Sequence, residues 1–119
     1  MKRLISVAAV FAVAATTVFA VVAYAGSQSA LKTTVKVTAK DNFRFTLSRT
    51  SAPHGKVSFV VTNKGHLMHD FAIAGKKTKL LKHNQIATLT VTLSKGKHSY
   101  KCTVPGHAQA GMKGTFKST

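Results

Sequence analysis

An all-β fold, a Greek-key β-sandwich or barrel of seven to eight short strands, is what the sequence predicts. Three observations carry that prediction. Beyond residue 26 the apolar residues recur at period two in runs rich in Val, Thr and Phe, the pattern of half-buried antiparallel strands. Turn-forming residues separate the runs at short intervals. No stretch of this region has a sustained helical period, so crossover helices and a parallel α/β sheet are excluded.

Each run follows the same rule. Val35, Val37 and Ala39 alternate with Thr34, Lys36 and Thr38, and Phe43, Phe45 and Leu47 alternate with Arg44 and Thr46. After the turn Pro53-His54-Gly55 comes the inward set Val57, Phe59 and Val61. Asn63-Lys64-Gly65 marks the next turn, and Leu67, His69, Phe71 and Ile73 continue the inward parity. The basic connection from Gly75 to Gln85, carrying Leu80-Leu81, is the longest between strands. Leu89, Val91 and Leu93 then alternate with Thr88, Thr90 and Thr92, Ser94-Lys95-Gly96 turns the chain, and a last strand pair leads to Lys113–Lys117. His98 shares the parity of Tyr100 and Cys102, which points it inward.

The N-terminus has a different grammar. Met1-Lys2-Arg3 precedes an apolar run from Leu4 to Tyr24, then Ala23-Tyr24-Ala25 and polar Gly26–Ser29. A basic start, an apolar run and a small-residue site are the layout of a secretory signal peptide, read here as residues 1–25. The length of the run leaves a retained anchor through residues 4–24 as the alternative. Residues 26–34 form a polar segment and 35–119 one domain. Either way that domain is expected outside the cytoplasm, periplasmic or extracellular in the cell envelope. Cys102 is the sole cysteine, so an intrachain disulfide is excluded and a lone exported thiol needs another role. Eighteen Lys and Arg stand against two acidic residues, a net charge of +16 that points to acidic partners or an anionic membrane surface.

Chemistry concentrates near the C-terminus. Cys102, His107 and Met112 stand in the spacing C-x4-H-x4-M. Thiolate and thioether are soft donors suited to Cu(I), and imidazole suits both copper states. Two His and one Cys with a weak axial Met make an electron-transfer copper site, and Pro105-Gly106 and Gly111 give the loop its turning capacity. The second imidazole comes from His66 or His69. His69 shares the parity of Leu67, Phe71 and Ile73, whereas His66 shares that of Asp70 and Ala72, so His69 faces the core.

From about Val35 to Lys117 the sequence resembles the cupredoxin family, especially its plastocyanin-, pseudoazurin- and halocyanin-like members. Asn63-Lys64-Gly65 followed by His69-Asp70-Phe71 is similar to the family's first-histidine segment. Gly96–Gly114, with Tyr100, Cys102-Thr103-Val104-Pro105-Gly106-His107 and Gly111-Met112, is similar to its C-terminal ligand loop. The resemblance implies one type 1 copper per chain, with His69, Cys102, His107 and Met112 as metal ligands. It also implies that Asp70 and Thr103 meet and brace the loop, although many family members carry Asn in place of Asp70. The gap from Cys102 to His107 is longer than in plastocyanins.

The expected function is single-electron transfer without catalysis, between redox partners outside the cytoplasm. A monomer is expected, working with a redox protein that has an acidic docking surface. The alternative is a copper carrier or buffer delivering the metal to an exported or membrane cuproenzyme, with His66 and Met68 as a candidate second site. A nucleic-acid role is not expected, because the Phe residues fall on inward parity and leave no stacking platform.

Overall fold

The computed structural model describes residues 32–119, so the expected signal peptide or anchor lies outside the described residues. Among these residues nine strands run in chain order: β1 Thr33–Lys40, β2 Arg44–Leu47, β3 Ser51–Ala52, β4 Gly55–Asn63, β5 Ala72–Ile73, β6 Lys76–Lys77, β7 Ile86–Leu93, β8 Gly96–Lys101 and β9 Lys113–Ser118. They form two sheets, ordered β2-β1-β4-β7 and β3-β9-β8-β5-β6, which is the all-β sandwich the alternation predicts. The first strand starts at Thr33, so the sandwich takes in the end of the polar segment. No described helix is long and apolar enough to cross a membrane.

Two pairings depart from the antiparallel expectation. β1 lies parallel to β4, with Val35 opposite Phe59, and β3 lies parallel to β9. Both follow from connectivity: β2 leads into β3 in the opposite sheet, and the chain then returns to β4 beside β1.

The inward residues interleave into one core. Val35 and Val37, Val57, Phe59 and Val61, Val91 and Leu93, Ile73 and Phe116 are all buried. Phe59 is its centre, with ring centroids 5.2 Å from Phe71 and 5.3 Å from Phe116. Such aromatic pairs contribute about 0.5–1.5 kcal/mol beyond their buried area. A smaller cluster of Ala39, Cys102 and Met112 closes one end, with Phe43, Phe45 and Val104 against it.

Three side chains depart from simple parity. Leu67 is 46% exposed, because residues 64–71 are loop rather than strand apart from one bridge between His69 and Leu81. Phe43 belongs not to β2 but to the turn before it, with φ of 56°. His98 is only half-buried, and its Nε2 lies 2.7 Å from the carbonyl of Ser94 in the connection between β7 and β8, so it is not packed among the aromatics.

Candidate metal centre

Three segments converge at the end of the sandwich holding the smaller cluster. The first is the loop after β4. Asn63, fully buried, organises it: Nδ2 donates to the carbonyls of Leu67 (2.8 Å) and Leu81 (2.7 Å), and Oδ1 accepts from the Gly65 N–H (2.9 Å). His69 and Leu81 exchange backbone hydrogen bonds of 3.2 and 2.8 Å. These contacts, rather than a regular strand, turn His69 inward until it is fully buried.

The second segment runs from Cys102 to Met112. Its turns are closed by His107 N–H to Val104 carbonyl (3.1 Å), Ala110 N–H to Gly106 carbonyl (3.1 Å) and Gly111 N–H to Ala108 carbonyl (3.0 Å). Its two ends are joined by the Cys102 N–H to Met112 carbonyl bond of 3.0 Å. Gly111 has φ of 116°, a backbone conformation that residues with a side chain rarely adopt, so glycine is needed there. Cys102 and Met112 end fully buried, while His107 stays half-exposed.

Asp70 ties the two segments together. Its Oδ1 accepts from the Thr103 N–H at 2.6 Å, and its Oδ2 accepts from the Thr103 hydroxyl. A carboxylate side chain, with an acceptor oxygen for each of the two Thr103 donors, fills this bracing position.

Alternation gives no sign of the third segment, the turn between β1 and β2. Asp41 Oδ1 lies 3.0 Å from His69 Nε2, and the Phe43 ring meets His107 edge-on, centroids 5.0 Å apart. Asp-Asn in a turn is an ordinary sequence. What could have marked Asp41 is scarcity: the chain's two acidic residues, Asp41 and Asp70, both stand at this site.

The donor atoms face one another. His69 Nδ1 lies 3.1 Å from His107 Nδ1, which lies 3.5 Å from Cys102 Sγ, and one donor from each of the three residues falls within 4.8 Å of the others. Burial pushes the Cys102 thiol up and depresses the His107 imidazole, the latter helped by neighbouring His69. His66 and Met68 lie outside this cluster and are exposed; the His66 ring stacks on His83 with centroids 4.5 Å apart. A buried thiol and thioether beside two imidazoles is a soft set of mixed S and N donors, which fits copper and not a hard cation such as Mg²⁺ or Ca²⁺.

A family model described as the cupredoxin-like domain matches residues 7–116. The chain belongs to this family. Cupredoxin-like chains bind copper, and the donors assembled here fit that cofactor. A curated relative, the copper-resistant cuproprotein CopI of Vibrio cholerae serotype O1, is 31% identical over 103 residues, covering 66% of this chain. The match spans only 60% of that relative's length. The reduced auracyanin of Roseiflexus castenholzii superposes with a TM-score of 0.66 at 19% identity, over 73% of this chain and 97% of that one. Auracyanin A, a blue copper protein of Chloroflexus aurantiacus, gives 0.63 at 18% identity, over 75% of this cupredoxin-like chain and all of its own. At those identities the likeness shows the fold.

Proposed function

We propose that this cupredoxin-like protein is a type 1 copper electron carrier working outside the cytoplasm, with His69, Cys102, His107 and Met112 as its ligands. The observation that carries the reading is one arrangement: three donors converge in a buried pocket, and of the three only His107 reaches the surface. Copper, when bound, supplies one-electron chemistry. The chain supplies the frame. Asp70 and Asn63 hold the two ligand segments in place, burial of Cys102 and Met112 excludes water, and the half-exposed His107 ring gives an electron its shortest way out. None of these roles transforms a substrate, and we read the protein as a carrier rather than an enzyme.

Around His107 lie Val104, Pro105, Ala108 and Ala110, small apolar residues that cost little to desolvate. Redox encounters are small and short-lived, so such a patch suffices for docking. The lysine excess steers an acidic redox partner toward it and favours an anionic membrane surface. Residues 1–25 are the export signal in this reading.

The test is direct. Adding Cu(II) to apo-protein is expected to produce an intense thiolate-to-copper absorption with narrow hyperfine splitting in EPR. Cys102→Ser abolishes the colour, and His69→Ala does so far more than His66→Ala. Colour surviving in Cys102→Ser, or equal losses at His66 and His69, overturns the ligand set.

A second reading, copper handling, is favoured by the likeness to the copper-resistant cuproprotein CopI. The two readings differ in exchange: a carrier of electrons retains its copper against a chelator, whereas a carrier of copper releases it readily.

A further inference from the structure

Asp70 braces Thr103, but the other carboxylate of the chain has a separate task. Asp41 is held from three directions. Oδ2 accepts from the His66 N–H at 2.7 Å, Oδ1 accepts from the Leu67 N–H at 3.1 Å, and Oδ1 stands 3.0 Å from His69 Nε2. The seat is shaped for it, since a Cβ at Gly65 would run into the Asp41 carboxylate. Backbone N–H groups donate to both of its oxygens, so the side chain sits there as an acceptor, as a carboxylate does.

An ionised carboxylate only accepts hydrogen bonds, so the contact requires a proton on His69 Nε2. Nδ1 is then the atom with the free lone pair, and it is Nδ1 that faces His107 at 3.1 Å. A carboxylate behind a ligating imidazole fixes its tautomer and ring plane and makes it a stronger donor. In a chain of net charge +16 it also sets a negative charge directly behind the ligand.

We infer that Asp41 is a positioning residue which locks His69 as the Nε2–H tautomer and, through its charge, biases the bound metal toward the more oxidised state. The inference rests on His69 being a ligand, as proposed above. It assigns to the β1–β2 turn a control over reduction potential that neither ligand segment supplies.

Two variants and two readouts test it. Asp41→Asn keeps the size and an acceptor for His69 but removes the charge. Its copper form is expected to stay blue while the preference for Cu(I) over Cu(II) rises about tenfold, about 59 mV upward in potential for a one-electron couple. Asp41→Ala removes the acceptor as well. In long-range ¹H–¹⁵N spectra of the apo-proteins, wild type is expected to show His69 as a single Nε2–H tautomer and Asp41→Ala a mixture of both. A blue Asp41→Asn protein at the wild-type potential, or an Asp41→Ala protein with an unchanged tautomer, overturns the inference. If Asp41→Ala does not fold, the Asp41→Asn potential decides alone. Failure of the ligand set would show differently, as a wild-type protein without thiolate colour, while the apo spectra would still report whether Asp41 governs the His69 tautomer.

Discussion

His69 is fully buried and tied on every side, whereas His107 is half-exposed and held by the turns of its own loop and the edge of one ring. Behind the first stand Asn63, Asp41 and the backbone exchange with Leu81. The second relies on the sequential bonds from Val104 to Gly111 and on Phe43. The two imidazoles lie 3.1 Å apart at Nδ1, yet one is part of the sandwich and the other part of its surface. The difference matches two demands on an electron carrier: a frame that does not rearrange and an edge that a partner can touch.

Breaking the braced side should have the largest effect. Asn63→Ala removes both donors to Leu67 and Leu81 and the acceptor for Gly65. The Leu81 carbonyl keeps the His69 N–H, but the Leu67 carbonyl and the Gly65 N–H lose their partner, at roughly 1–3 kcal/mol each and less where water can enter. A total loss of about 2–4 kcal/mol is expected in denaturant unfolding of the apo-protein, with the midpoint shifted and the slope unchanged. A loss below about 0.5 kcal/mol would show that His69 is held by packing and not by this network.

Proton linkage sharpens the comparison next. Cys102, under the same buried end, has its thiol pushed up by desolvation, so at neutral pH it is protonated in the apo-protein. A metal ligand must be the thiolate, so Cys102, if it ligates copper as proposed, gives up its proton on binding. Affinity for copper is therefore expected to rise with pH, by up to tenfold per unit through the range below the thiol's raised value. The fold responds oppositely. A raised folded-state value contributes stability that is present below the unfolded thiol's pKa, about 8.5, and lost as pH rises through the folded one. Apo-protein should thus weaken above about pH 8.5, and Cys102→Ser should remove that dependence. Copper titrations at several pH values and parallel unfolding curves check both signs.

Much of this was legible in the sequence, and the misses share a cause. Alternation at Val35–Ala39, Val57–Val61 and Leu89–Leu93 gave the strands because their side chains meet only two environments, core and solvent. C-x4-H-x4-M marks the candidate donor loop because the spacing within one segment survives folding. His69 points inward as parity predicts, but parity is not the reason: Leu67 is exposed, and the loop is set by Asn63 and Asp41. Contacts between distant segments have no period. Phe43 fits a strand pattern because its spacing from Phe45 is two, while a φ of 56° places it in the turn and its ring lies on His107. Only the family resemblance points to the Asp70–Thr103 brace, for no local pattern links positions so far apart.

The smallest effect belongs to the exposed side. If His107 is the electron's exit, a partner must approach across Val104, Pro105, Ala108 and Ala110, and a charge placed there acts on encounter rather than on the ligands. Ala108→Asp puts a carboxylate beside the ring, half-buried, where an acidic partner is expected to sit. Electron transfer with such a partner should slow a few-fold, within the range by which rim charges alter association. Visible and EPR spectra of the variant should match wild type, since none of the bonds closing the loop uses the Ala108 side chain. The wild-type rate should itself fall as salt shortens the Debye length to about 8 Å, because the steering comes from lysines dispersed over the surface. A control substitution that keeps the charge change but moves it away, Thr88→Asp on the outer face of β7, should slow the reaction less. Equal slowing by Thr88→Asp and Ala108→Asp would mean that net charge alone guides the partner, and the contrast between a braced imidazole and an exposed one would lose its functional meaning.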